Sequence, residues 1–591
     1  MKKLINRNYF WAEVFVEHLT AGGVKHVCIS PGSRNTSLTL AFAANKKFKK
    51  FVNVDERTNG FFALGLANKL NKPVVLVTTS GTATAELYPA IIEAYQRRIP
   101  LIVCTADRPE ELQNCGANQT INQKNIYKNH IRKYFEIGLP SVKKIDLLKL
   151  KSITRSAVQI SSVLDRGPVH LNFPLRKPFE PGNFTDEIDI NLYKYVFNTV
   201  TNRNLTTNIK QGKLPEEIIN ISKKSSEGLI LCGQDNFDNN FFRSCIKMSK
   251  ILNYPIAADG VSGLRFKKFT NKLILSNTSL ALKTNAKKLF SEAKVIIQFG
   301  GSFTSNEFFE FMKESKAIKF LVNEYGDYRD PTRTVKKVIK MNPGKFCENI
   351  IELNKAFRNS KTKGGWVKKI FWMEDFIENK KLEFLSKQNL KFEGKIISEV
   401  LNLLPSNSNL MISNSMPVRD LEFFTSRASK NINIFSNRGA SGIDGIISTA
   451  AGIAVNSNRP TVLITGDLAF YHDMNGLLLL KNHKIPLIII LIDNNGGGIF
   501  NMLPISKYEK FFTNFFRTPL EIDLLKFAGA YGGNTYKINT PEEFKKYLSL
   551  SIKRKSFSVL QIKTNSNKSA ESRKRFWNSI STQISGLTNV S

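Results

Sequence analysis

The stretch ITGDLAFYHDMNG, residues 464–476, leaves an apolar run and breaks on Gly466-Asp467. A carboxylate at the end of a buried strand is costly unless something pairs with it. A second apolar run, PLIIILI (486–492), leads to Asn494, 27 residues beyond Asp467, and Gly496-Gly497-Gly498 follow. In an open parallel sheet, ligands gather at the carboxyl ends of the strands. Two neighbouring strand ends can therefore turn a carboxylate and an amide carbonyl to one point. A hard divalent cation such as Mg²⁺ takes such oxygens and keeps further positions for phosphate. The glycines let backbone approach closely and offer N–H groups or carbonyls. The same residues also read as a helix-capping Asp467 and a plain turn at 494–498. Spacing alone does not choose between the two.

The elements that would position these residues recur along the chain. HVCISPG (26–32), PVVLVTTSG (73–81) and PLIVCTADRP (100–109) are short β-rich runs, interleaved with helical patterns such as ATAELYPAIIEAYQ (83–96). This alternation predicts βαβ units and parallel sheets buried on both faces. Prolines in GPVHLNFPLRKPFEP (167–181) end the first block, giving a domain over 1–182. The polar, Asn/Thr-rich stretch 183–215 reads as a linker. A second α/β domain spans 216–345, a Lys-rich helical connector 346–390, and a third α/β domain 391–591. The expected fold is α/β, with three doubly wound parallel-sheet domains. The N-terminal MKKLINRNYFWAEVF reads as an amphipathic helix and not as a signal peptide, because Glu13 interrupts its apolar part.

Composition narrows the chemistry. At 591 residues, with 42% apolar and 23% charged residues, the chain is an ordinary globular protein of several domains. No apolar run reaches the roughly 20 residues of a membrane span. Six scattered cysteines form no CxxC pair, and six histidines no HExxH. That argues against a disulfide framework and a His/Cys metal centre, and suits a reducing cytoplasm. The net charge of +37 raises nucleic-acid binding as a possibility. The excess is Lys spread along the chain, with no helix-turn-helix or aromatic-interleaved RNA motif, so a generally basic surface is the better reading.

Gly-Asp followed by Asn in NNGGG resembles the diphosphate-binding motif of thiamine diphosphate enzymes, with Leu468 where that family usually has glycine. NVDERTNGFFALGLA (53–67) supplies the glutamate, Glu56, that the family needs in its first domain. SPGSRNTSL (30–38), TSGTATAELYPAIIEA (79–94), TADRPEEL (105–112), CGANQTI (115–121), SNRGASGIDG (436–445) and DNNGGGIFNMLP (493–504) narrow the match. Taken in order, they resemble the branch that joins 2-oxoglutarate to isochorismate in menaquinone and phylloquinone biosynthesis.

That resemblance implies thiamine diphosphate as cofactor, with Mg²⁺ or Mn²⁺ held by Asp467, Asn494 and the Gly496 carbonyl. Gly466, Ile499 and Phe500 would complete the cofactor cradle, and Ile443 would be the apolar wedge that bends the cofactor. Glu56 would be catalytic, bonding the aminopyrimidine nitrogen. Without the resemblance, Glu56 reads more simply as a surface ion pair with Arg57. Both substrates are polyanions, and arginine suits bidentate carboxylate binding. The matching motifs offer Arg34, Arg108, Arg419 and Arg438, with Ser33, Gln119 and Ser415 as hydrogen-bonding partners. The family often carries a basic pair in its central domain where this chain has Asn306 and Glu307; either another Lys or Arg compensates for a lost substrate contact there, or the correspondence is off by a turn, and both residues stay outside the expected site. Relatives build each site from the first domain of one subunit and the third of its partner, which implies a homodimer or a dimer of dimers. The alternatives are an acetohydroxyacid synthase-like lyase with the same cofactor and, further off, a non-enzymatic basic protein that binds nucleic acid.

Overall fold

VVLVT (74–78) and LIVCTAD (101–107) are buried at every position, as strands covered on both faces must be. They sit at the centre of a parallel six-stranded sheet. Its strands run in the order Lys49–Val52, His26–Ile29, Val74–Thr78, Leu101–Asp107, Val169–Pro174 and Lys133–Glu136. The computed structural model describes residues 2–198, 212–355 and 365–588. A second parallel sheet runs Ile274–Leu275, Ile256–Ala258, Gly228–Cys232, Val295–Phe299, Ile318–Asn323, Lys337–Lys340. The third runs Asn433–Phe435, Asn409–Ile412, Thr461–Gly466, Leu487–Asp493, Ser558–Lys563, Asn534–Lys537. Three parallel α/β layers are thus present, as the alternating pattern requires.

The N-terminus departs from expectation. Lys2–Ile5 is a strand, paired antiparallel with Asp186–Asp189, and the helix covers only Arg7–Ala21. Asn6 caps that helix by accepting from the Tyr9 amide at 3.0 Å. The strand's partner lies far along the chain, where local periodicity cannot reveal it. Within the stretch 183–215, the Asp186–Asp189 strand is followed by a helix, Ile190–Asn198, and residues 199–211 lie outside the described residues.

The chain separates into two units. One gathers the described residues of Met1–Ile209 with Asn437–Ser457 and His472–Leu487; the other gathers those of Lys210–Ser436, Asn458–Tyr471 and Ile488–Ser591. Within the first unit, the helices Glu56–Leu70 and Ile446–Ala454 pack backbone against backbone. A Cβ at Gly65 would lie 2.0 Å from the Thr449 carbonyl oxygen, and one at Gly452 would lie 2.1 Å from that of Phe62. No rotamer change relieves a clash with backbone, so even one methyl must part the helices. Gly65→Ala is expected to lower stability by about 1–3 kcal/mol, read from the denaturant midpoint. Gly529→Ala, in the helix Leu524–Ala530 with open space around the position, is the control and should hold or slightly raise it.

Candidate active site

The strand Thr461–Gly466 ends on Gly466, and Asp467 opens the helix Asp467–His472. Asp467 is buried. Its Oδ1 accepts from the Leu468 amide and its Oδ2 from the Gly496 amide, each at 2.7 Å. Asp467 therefore holds the first free amide of its own helix and also ties two adjacent strand ends together. Burial, with Asp493 nearby, pushes its carboxyl up to about 7: the ionised form lacks a countercharge. Asn494, at the end of Leu487–Asp493, donates through Nδ2 to Glu393 Oε1 at 2.8 Å. Its Oδ1 is buried with no hydrogen-bond partner among the described residues.

Gly496 has φ +129°, and a Cβ there would sit 2.2 Å from the Arg517 carbonyl oxygen, so only glycine fits. Its own carbonyl accepts from Gly498 N at 2.9 Å and keeps a second lone pair. A cavity of about 380 Å³ opens beside Asp467, lined also by Asp493, Glu521, Asp523, Lys537 and Lys563. An orphaned amide oxygen and a buried carboxylate fit a hard cation. Among the described residues, no three His, Cys, Asp or Glu side chains form a metal cluster. The candidate set is instead one carboxylate, one amide and one backbone carbonyl.

In the first unit, Glu56 is the first residue of its helix, but the cap is Asp55, whose Oδ1 accepts from Thr58 N at 2.9 Å. The ion pair with Arg57 does not form: Arg57 Nη2 donates to the His472 carbonyl at 3.0 Å. Burial foremost, then the charges of Asp55 and Glu86, raises the Glu56 pKa and favours its protonated form. Ile443 stands 37% exposed on the loop that precedes Ile446–Ala454. Arg438, half-buried, is on the same loop. Glu93, which no motif singles out, grips that loop: its two oxygens accept from Gly439 N at 2.8 Å and Ala440 N at 2.6 Å.

Arg108 and Gln119 converge on Ser80, a hub that sequence reasoning missed. Arg108 Nη1 donates to Ser80 Oγ, and Gln119 Nε2 donates to the Ser80 carbonyl at 2.9 Å. Gln119 is held at φ +55°. Arg34 Nη1 donates to the Leu175 carbonyl at 2.7 Å, and the guanidinium lies over Phe179. Burial, then the Arg108 charge, lowers the Arg34 pKa. The Asp107 carboxylate acts in the opposite sense on both guanidinium groups. Ser33 is exposed on the turn just before.

In the second unit, Ser415 adopts φ +69° at the head of Met416–Phe424, and Arg419 Nη1 donates to its carbonyl at 2.7 Å. Arg419 and Ile499 line a cavity of about 640 Å³ with Met416 and Leu503. Phe500 packs edge-on against Phe516, 5.8 Å between centroids. Asn306 and Glu307 also line this cavity. Lys283, on the same wall, pairs with Glu307 and lies 4.3 Å over the Trp577 ring.

Three family profiles match the chain in order: the N-terminal TPP-binding domain of thiamine pyrophosphate enzymes over residues 11–126, the middle domain over 205–412, and the C-terminal TPP-binding domain over 423–562. Curated relatives carry the name 2-succinyl-5-enolpyruvyl-6-hydroxy-3-cyclohexene-1-carboxylate synthase. The protein of Bacillus cytotoxicus is 35% identical over 576 residues, 96% of each chain. That of Geobacillus kaustophilus is 34% identical over 584 residues, 97% of this chain and 98% of its own. That of Listeria welshimeri is 35% identical over 579 residues, 97% of each.

Proposed function

The chain belongs to the 2-succinyl-5-enolpyruvyl-6-hydroxy-3-cyclohexene-1-carboxylate synthase family of thiamine diphosphate enzymes, and from that premise we propose how its residues divide the work. The protein is a thiamine diphosphate-dependent transferase. It decarboxylates 2-oxoglutarate and adds the remaining four-carbon unit to the ring alkene of isochorismate, releasing CO₂. Bound thiamine diphosphate supplies the carbon nucleophile and the electron sink for decarboxylation.

The observation that carries the assignment of residues is the pairing at the strand ends. Asp467 bonds the Gly496 amide while Asn494 keeps a bare, buried carbonyl oxygen. We assign Asp467, Asn494 and the Gly496 carbonyl to Mg²⁺ or Mn²⁺, and Gly466, Ile499 and Phe500 to the cofactor's surroundings. Ile443, exposed on a loop fixed by Glu93, is the apolar wedge. We assign Glu56 to the ring nitrogen: burial, then the charges of Asp55 and Glu86, raises its pKa and disfavours the charged form. Arg34, Arg108, Arg419 and Arg438, with Ser33, Gln119 and Ser415, bind the substrate carboxylates. The assembly we propose is a homodimer or a pair of homodimers, working in the cytoplasm. No helix among the described residues is long and apolar enough to cross a membrane.

Supplied with thiamine diphosphate, Mg²⁺, 2-oxoglutarate and isochorismate, the protein should release one CO₂ for each isochorismate consumed, followed through loss of the isochorismate absorbance. Pyruvate in place of 2-oxoglutarate should give neither. Turnover of pyruvate, or CO₂ release that leaves isochorismate intact, would favour the acetohydroxyacid synthase-like alternative.

A further inference from the structure

An asparagine amide can be turned either way, so before a cation arrives a free Asn494 would point its oxygen or its NH₂ at the site with little to choose, although only the oxygen can ligate a metal. The second unit removes that freedom. Glu393, first residue of the helix Glu393–Leu403, and Arg573, on the helix Ser566–Thr588, are each 2% exposed. Arg573 Nε donates to Asp420 Oδ1 at 2.9 Å. Its Nη2 donates to Asp420 Oδ2 at 2.6 Å and to Glu393 Oε2 at 2.7 Å. The remaining Glu393 oxygen, Oε1, accepts from Asn494 Nδ2 at 2.8 Å and from Thr564 Oγ1 at 3.2 Å. A Cβ at Gly498 would lie 2.6 Å from Asn494 Nδ2, so the glycine leaves the amide the space it occupies.

Burying two carboxylates and a guanidinium costs several kcal/mol per ion before pairing, and apolar side chains hold helices together at least as well. Stability therefore does not account for the cluster, whereas its effect on Asn494 does. A carboxylate is an acceptor only, so Nδ2 must face Glu393 and Oδ1 must face away, where it stands buried and unpartnered. We propose that Glu393 and Arg573 are positioning residues that lock the Asn494 amide with its carbonyl oxygen toward the cation site. The proposal rests on Asn494 being a metal ligand. Arg573 supplies the countercharge and fixes which Glu393 oxygen faces Asn494. Asp420, adjacent to Arg419, ties the same cluster to the helix that carries a candidate substrate arginine.

The test is Mn²⁺ binding in the presence of thiamine diphosphate, measured from the paramagnetic resonance of free Mn²⁺. In Glu393→Gln, Arg573 takes the Gln carbonyl and leaves the Gln NH₂ facing Asn494, which must then turn its own NH₂ toward the cation. Mn²⁺ affinity should fall about 10- to 100-fold, the range for losing a partner that orients a ligand, with the circular dichroism unchanged. The double variant Glu393→Gln/Asn494→Asp should recover affinity to within a few-fold. Its new carboxylate accepts from the Gln NH₂ with one oxygen and presents the other to the metal.

Unchanged affinity in Glu393→Gln, or no recovery in the double variant, overturns the proposal. Asn494→Ala separates this from the underlying reading: if it too leaves Mn²⁺ binding unchanged, Asn494 is not a ligand and the assignment of the metal site falls. Should Glu393→Gln not fold, Arg573→Lys decides. It keeps the charge but cannot span both carboxylates, so affinity should drop several-fold, and wild-type affinity there overturns the proposal.

Discussion

Replacing Glu56 by glutamine should lower kcat by about 10²- to 10⁴-fold, the range for loss of a positioned acid–base group, while the fold survives. Glutamine matches glutamate in shape and still hydrogen-bonds, but it has no carboxyl proton to hold or exchange. The fold survives because Asp55, not Glu56, caps the helix, and Arg57 is engaged by the His472 carbonyl, so no ion pair is lost. Removing a half-buried carboxyl whose charged form is disfavoured by burial, Asp55 and Glu86 should leave the unfolding temperature level or slightly higher. CO₂ release at saturating thiamine diphosphate measures the effect, and calorimetric binding of the cofactor separates turnover from affinity. Turnover within tenfold of wild type would remove Glu56 from its assigned role.

What the sequence made legible is what local spacing controls. Strand, helix and strand need about the separation between Asp467 and Asn494, so the spacing by itself implies two strand ends side by side. The runs 74–78 and 101–107 announce strands buried on both faces because each opens with four apolar residues in a row. What stayed hidden depends on partners distant in sequence. Glu93 sits in an amphipathic helix like any surface glutamate, and only the fold brings Gly439 and Ala440 to it. Glu393 and Arg573 lie 180 residues apart. Lys2–Ile5 forms a strand because Asp186–Asp189 offers an edge. The arginine set was legible in kind but not in use: Arg34 gives one of its donors to the Leu175 carbonyl before any substrate arrives. The missing basic pair at Asn306 and Glu307 could be read from the sequence, whereas the pairing of Lys283 with Glu307 beside Trp577 could only be seen in the cavity.

Asp467→Asn should abolish the response to metal and cofactor without unfolding the protein. Each carboxylate oxygen accepts a backbone N–H, from Leu468 on one side and Gly496 on the other. An asparagine can accept only one of these and must point its NH₂ at the other donor, so either the helix cap or the bridge between the strand ends opens. The cation also loses the single charged side chain among its candidate ligands. Mn²⁺ affinity and turnover should each fall by more than about 100-fold, since first-contact ligands outweigh the partners that orient them.

Stability should move the other way. The wild-type carboxylate is buried near Asp493 with no countercharge, so the metal-free Asn variant should melt at or above the wild-type temperature. Saturating Mg²⁺ and thiamine diphosphate, at about 100 times Kd, should stabilise the wild type by roughly 2.7 kcal/mol through linkage. The variant should show no such rise. A residue that stabilises the empty protein when replaced, and whose replacement silences the ligand-induced shift, is held in place by what it binds. A variant that kept both the thermal shift and turnover within tenfold would mean that Asp467 is only the helix cap its neighbouring amides also allow.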